Sequence, residues 1–385
     1  MHPEDSGIPL QREAPRPTLP VELYSHVFAF IYRDPDLCRF ALVSRMFYRE
    51  TIPFLYHTID LSVQWNRIFS FGLAIKSNPE LALHVRVLTL ALWSDAPTDL
   101  EDLIGEILCR VQNLRTLTME PSSREFEDFP GLTRGIPFQL HTFHNHCLDL
   151  PDTISFLRSQ PHITDWTHLF PHCGQRPVFL EGHLPNITTI CVEASVLQAF
   201  NTARPVKQMF VCYDDDHPEM QDFTPFGLFR ETLVTLCWDR SLSSSDVGAP
   251  DAMALLVKQM PRLKHLCIID VNNDRIQAAG TAQLNPFDTL LHSLSLFKNL
   301  ETFAYSPPIS DTTSFWWTVC RDKGFEQVAR ELFSAQPRLR RITFHDHSQP
   351  DVKMEDWVTN GVCYAKGPGG DTASPLTFDS WKELW

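Results

Sequence analysis

Glycine is scarce, with 15 in 385 residues against 29 prolines. That argues against phosphate-cradling loops and predicts a chain punctuated by proline-stopped elements. The signatures G-x-x-x-x-G-K, G-x-G-x-x-G, G-x-S-x-G and H-E-x-x-H are all missing. Gly367-Pro368-Gly369-Gly370 sits in a tail rich in Gly, Ser, Thr and Pro and reads as a loop. Paired cysteines are missing too: the closest two of the ten, Cys173 and Cys191, lie 18 residues apart. Zinc knuckles and redox dithiols need closer pairs, so reduced, buried or half-buried thiols are expected.

Basic blocks are absent. Lys and Arg number 33 against 47 Asp and Glu, a net charge of −14, which disfavours nucleic-acid and anionic-membrane partners. No apolar run approaches the roughly 20 residues of a membrane helix. Residues 1–17 carry four prolines and several charges in place of an apolar signal centre, and read as a flexible lead-in. The expectation is a soluble intracellular chain, cytoplasmic or nuclear. What is plentiful is apolar: 43% hydrophobic residues, with 27 Phe and 9 Trp, can fill a large core. The length sets a prior of two or three domains.

Structure is expected from Thr18 onward. Pro20 suits a first helical position, where its missing N–H costs nothing. Leu23, Val27, Phe30 and Ile31 then form one helical stripe. Asp34-Pro35 predicts a second helix, capped by Asp34, carrying Leu37, Phe40, Ala41, Phe47 and Tyr48 and ending at Pro53.

This stretch resembles an F-box, and looks most like the F-box-like proteins of mushroom-forming fungi. The residues that carry the resemblance are Leu19-Pro20 with Glu22-Leu23, then Leu42-Val43-Ser44 with Phe47-Tyr48, and finally Pro53, Leu55, Tyr56, Ile59 and Leu61. Phe47-Tyr48 stands where many family members have tryptophan. The resemblance implies docking on a Skp-type adaptor, and through it on a cullin–RING ubiquitin ligase. Leu19, Pro20, Glu22, Leu23, Val27, Leu42, Val43 and Phe47 would be the adaptor-binding residues. Short helices cannot shield apolar residues on several sides by themselves, which is compatible with such a partner. In the alternative, these helices only cap the remaining chain.

Beyond them one phrase recurs: large residue, two others, large residue, one other, large residue. It appears as Val85-Leu88-Leu90, Leu114-Leu117-Met119, Ile187-Ile190-Val192, Val206-Met209-Val211 and Leu233-Leu236-Trp238. It continues as Leu263-Leu266-Ile268, Leu300-Phe303-Tyr305 and Leu339-Ile342-Phe344. Leu140-Phe143 and Ile163-Trp166 keep two anchors and put Asn145 and His168 at the third; Tyr56-Ile59-Leu61 is a candidate eleventh copy. First anchors, from Val85 to Leu339, are 19 to 39 residues apart. Helical stripes lie between copies, such as Leu100, Leu103, Ile104, Ile107, Leu108 and Val111, or Phe325, Val328, Ala329, Leu332 and Phe333.

Helix, hinge, short strand, loop is the unit of a solenoid. The pattern resembles irregular leucine-rich repeats, with no evident asparagine ladder after the strands. The fold expected is α/β: an N-terminal all-α cluster over 18–58, a solenoid with a parallel concave sheet over 59–350, and a closing segment over 351–385. A doubly wound α/β domain is the structural alternative.

No catalytic residue, metal or cofactor is expected. The histidines from His141 to His183 are dense enough to raise a zinc site, but on a strand His144 faces the concave surface while His146 enters the following loop. Asp214-Asp215-Asp216-His217 reads as an acidic loop, and Trp316-Trp317 as loop residues that could bind or be buried. Positions two and four after each first anchor face away from the core, and Thr dominates them. His144, Gln208, Phe210, His265 and Arg341 are the candidates there for binding an unknown protein substrate. The function implied is a substrate receptor of a Skp–cullin–F-box ligase; the alternative is a non-ligase repeat scaffold, and a hydrolase or metalloenzyme is least favoured.

Overall fold

The computed structural model describes residues 20–31, 33–92, 97, 99–121, 135–169, 178–212, 223–240, 249–269, 286–306, 315–345, 361–366 and 373–376. The lead-in 1–17, Leu19, the acidic loop 214–217 and the glycine tail 367–370 lie outside these residues, as do the side chains of Glu22 and Trp316-Trp317.

Helices α1 (Val21–Phe28), α2 (Asp34–Ala41) and α3 (Arg45–Leu55) open the chain. Four details differ from the sequence reading. Pro20 is the cap of α1 and stands outside it, with φ −53° and ψ 140°, so its ring sets an extended entry. Arg33, not Asp34, caps α2. The single helix expected from 34 to 53 is two, because Ser44 caps a fresh helix by accepting a hydrogen bond from the Phe47 amide at 3.2 Å. Pro53 does not end α3. The helix runs on to Leu55, and the Tyr56 amide still reaches the Ile52 carbonyl at 3.0 Å.

The recurring phrase is a strand. Its copies form β1 (Thr58–Leu61), β2 (Val87–Leu92), β3 (Thr116–Pro121), β4 (Thr142–Asn145), β5 (Asp165–His168) and β6 (Thr189–Glu193). They continue as β7 (Gln208–Cys212), β8 (Thr235–Asp239), β9 (His265–Ile269), β10 (Thr302–Ser306) and β11 (Arg341–His345). All eleven run parallel in chain order, and the antiparallel β12 (Gly361–Lys366) and β13 (Ala373–Leu376) extend the sheet past β11. A doubly wound domain needs a point where strand order reverses, and this sheet has none. The architecture is an open α/β solenoid, and Tyr56-Ile59-Leu61 is a true first copy because Ile59 pairs with Leu88 and Leu61 with Leu90.

Register explains why the phrase tolerates uneven spacing. Leu88, Leu117, Phe143, Trp166, Ile190, Met209, Leu236, Leu266, Phe303 and Ile342 align strand by strand, and all are fully buried. Stacking fixes these rows, while the returns are free to vary. The shortest return, from β6 to β7, holds only the four-residue turn of helix at Ala194–Leu197. The longest, from β10 to β11, holds two helices, Phe315–Lys323 and Phe325–Ala335.

The first two returns of the solenoid pack closely. α4 (Trp65–Ser77) and α5 (Leu100–Arg110) meet where Gly72 faces Leu103, and a Cβ on Gly72 would lie 2.7 Å from Leu103 Cδ1. Leu103 presents the flexible end of its side chain, so Gly72→Ala is expected within about 1 kcal/mol of wild type, helix propensity offsetting the shift. Gly72→Ile overpacks the same contact and is expected to cost about 1–3 kcal/mol in thermal or urea unfolding.

Candidate functional site

Two surfaces could carry function, and each is built from short elements with distinct demands. In the helical cluster, Phe28 and Leu37 are buried, and the rings of Tyr24, Phe40 and Phe47 close around Phe28. Phe47 is half-buried, one side of its ring spent on contacts inside the cluster. α3 is anchored to the solenoid: Ile52 joins the continuous core, with Leu55 and Tyr56 packed against it.

The rest of the cluster is open. Leu23 is 43% exposed, Val27 49%, Phe30 74%, Leu42 87% and Val43 65%, with Phe40 and Tyr48 also exposed. Leu42 and Val43 sit in the break between α2 and α3, where the backbone turns to let Ser44 cap the next helix. Pro20 is exposed at the entry to α1. Single exposed apolar residues are ordinary, but this many on one small cluster exceed that default. Phe30, on the apolar stripe read from the sequence with Leu23 and Val27, is the most exposed of the three. A stripe shows that one face is apolar without showing which way it points.

On the solenoid, the face away from the helices alternates small and large residues across strands. Thr235 lies between Gln208 and His265, Thr302 between His265 and Arg341, and Cys237 between Phe210 and Cys267. The small members are buried between their neighbours, so the larger ones form the surface. Three of the five candidates are tied laterally. His144 Nε2 lies 3.8 Å from Asp165 Oδ2, the Thr189 hydroxyl donates to Gln208 Oε1 at 3.2 Å, and His265 Nδ1 meets the Thr302 hydroxyl at 2.8 Å. Phe210 is half-buried between the register positions of Cys191 and Cys237. These residues do not converge on one point; they lie along the sheet from β4 to β11.

In place of an asparagine ladder, a single asparagine serves one coil. Asn145 is fully buried, and its Oδ1 accepts from the amides of Cys147 at 3.1 Å and Leu148 at 2.8 Å. Its Nδ2 donates to the Leu148 carbonyl and the Thr153 hydroxyl, both at 2.9 Å, and lies 2.9 Å from Nδ1 of buried His168. Asn145 and His168 are register partners. The two copies that looked degenerate are joined by a polar network.

Among the described residues, no three His, Cys, Asp or Glu side chains gather as metal ligands. Burial pushes the Cys147 and Cys191 thiols up to about 12, leaving them protonated and poorly nucleophilic. Among the described residues no helix is long and apolar enough to cross a membrane.

Two half-buried histidines make stability pH-dependent. Burial, then the neighbouring His144, holds His146 below the ordinary imidazole range. Burial also lowers His265, helped by Lys264 and Arg341 and opposed by Glu301. The unfolded chain therefore protonates first, near pH ~6.5, and stability is lost as pH falls below that value. The thermal midpoint is expected to drop by a few degrees between pH 7.5 and 5.5. His146→Gln with His265→Gln should narrow the difference, and an unchanged difference would rule out these two groups.

No family model and no curated protein matches this sequence. Two solved structures are similar in outline. The leucine-rich repeat-containing protein LegL7 from Legionella pneumophila is 14% identical, with a TM-score of 0.39, covering 79% of this chain and 89% of that one. A Bacteroides fragilis protein is 10% identical, with a TM-score of 0.36, covering 69% and 72%. At these scores neither likeness carries an argument, and the solenoid architecture stands on the chain's own strand order and register.

Proposed function

We propose that the chain is a substrate-recognition subunit of a Skp–cullin–F-box ubiquitin ligase, with the helical cluster meeting the adaptor and the open sheet face meeting a target protein. The observation that carries this reading is the exposed apolar patch of Leu23, Val27, Phe30, Leu42 and Val43 on a cluster whose own core is already closed. The F-box-like order of residues in the same segment supports it. In this role the chain makes and breaks no bonds. It tethers a target beside the ubiquitin-loaded enzyme and raises its effective concentration. Stacked coils would hold the two surfaces at a set separation.

A second reading, a repeat scaffold without an adaptor, draws on the docking of Ile52, Leu55 and Tyr56 against the solenoid. Affinity purification with mass spectrometry separates the two. The full chain should recover a Skp-type adaptor, and Leu42→Glu with Val43→Glu should lose it while retaining target proteins. Recovery of targets by both chains, with an adaptor by neither, would favour the scaffold.

A further inference from the structure

The residue after each first anchor, followed by Lys366 at the end of β12, forms a continuous backbone row along the strand-entry edge of the sheet. The His57 carbonyl accepts from the Arg86 amide, that of Arg86 from Arg115, and so on through His141, Thr164, Thr188, Lys207, Val234, Lys264, Glu301, Arg340 and Lys366, at 2.7–2.9 Å. Six of these twelve residues are Lys or Arg and one is acidic, in a chain where acids outnumber bases 47 to 33. The one acid is answered locally, since Lys264 Nζ lies 3.0 Å from Glu301 Oε1. Arg262 and Arg338 add to the same edge one turn earlier; Glu231, the acid there, lies within ion-pair reach of Arg230 and Arg262. Arg115 and Lys207 are exposed and form no ion pair among the described residues.

The opposite edge lacks such a row, although Arg240 follows Asp239 there. The residue after each third anchor includes Glu120, Glu193 and Asp239, and no Lys or Arg among β1 to β11. Charge is therefore sorted across the width of the sheet, against the overall balance. Arg86 beside Arg115, and Arg340 beside Lys366, put like charges one strand spacing of ~4.8 Å apart, which is unfavourable unless something anionic offsets it.

We infer that the strand-entry edge, from Arg86 through Arg115 and Lys207 to Arg340, is a docking surface for an acidic polypeptide segment. The row spans nine strand steps, roughly 43 Å at ~4.8 Å each, a length that about 13 extended residues cover at ~3.3 Å apiece. A nucleic acid fits less well. The row carries no Phe, Tyr or Trp on which bases could stack. This surface is separate from the helical patch and does not depend on the adaptor reading.

The test is fluorescence anisotropy on the full chain with a labelled peptide of about twelve Glu residues, the length that fills the row. A neutral Gly-Ser peptide and a single-stranded thymidine oligonucleotide of similar length are compared with it. The wild type should bind the Glu peptide more tightly than either, and less tightly as salt rises. Arg115→Glu, Lys207→Glu and Arg340→Glu together should weaken binding at least tenfold, with Lys258→Glu on the helical side leaving it unchanged. The triple Gln variant should show a smaller loss at an unchanged thermal midpoint, separating lost charge from lost fold. Equal binding by the wild type and the triple variants, no binding of the Glu peptide, or tighter binding of the oligonucleotide would each overturn the assignment.

Discussion

Asn145→Ala is expected to destabilise the central coils by about 3–5 kcal/mol, the largest effect of any single polar substitution proposed for this chain. The side chain satisfies the buried amides of Cys147 and Leu148 and the Leu148 carbonyl, and also reaches Thr153 and His168. Each buried group left without a partner costs roughly 1–3 kcal/mol. Thr153→Ala removes one arm of the network and is expected to cost about 1 kcal/mol. Coils of a solenoid can open separately, so a global midpoint is a blunt readout. Hydrogen exchange at Cys147 and Leu148 should accelerate markedly in Asn145→Ala, while β9 to β11 stay protected. A change below about 1 kcal/mol with unaltered local exchange would show that the network is not structural.

The second large effect concerns the helical cluster. Leu42→Glu with Val43→Glu is expected to weaken adaptor binding by at least a hundredfold. Two apolar side chains buried on binding contribute about 1.5–3 kcal/mol each, and every 1.4 kcal/mol is tenfold. Folding should be untouched because both side chains already face outward. Phe28→Ala provides the contrast. It empties the cluster's own core and should cost about 3–5 kcal/mol of local stability before any partner is considered. Adaptor binding that survives the double Glu substitution would remove the patch from the interface.

How much of this was legible in the sequence varies with the kind of signal. The strand phrase was plain because three anchors at fixed spacing, such as Leu117 and Met119 after Leu114, must all reach one core. Connection lengths did not obscure it, because only the anchors stack. Asn145 and His168 read as failed third anchors, since an apolar count cannot reveal a pair that satisfies itself across strands. The break between α2 and α3 was hidden by the apolar Leu42-Val43, which continued the helical pattern while Ser44 alone signalled a new start. Phe47 looked like an outward anchor, and its ring also meets Tyr24, Phe28 and Phe40, contacts that helical spacing does not reveal. The basic edge was invisible because its members are separated by 19 to 39 residues over most of its length, and only register brings them into line.

The burial of Thr235, Cys237 and Thr302 on the nominally open face has the same origin. Alternation shows which side of a strand a residue faces, not how large its lateral neighbours are. Gln208, Phe210, His265 and Arg341 overshadow the small residues beside them, and a target would meet the larger side chains first.

The most direct measurement is the heat capacity change when purified Skp-type adaptor is titrated into the full chain by calorimetry at several temperatures. Covering Leu23, Val27, Phe30, Leu42 and Val43 removes apolar surface from water, so binding should occur with a clearly negative heat capacity change that shrinks sharply in Leu42→Glu with Val43→Glu. No detectable binding, or binding with a heat capacity change near zero and indifferent to those substitutions, would contradict the proposal that another polypeptide completes this cluster.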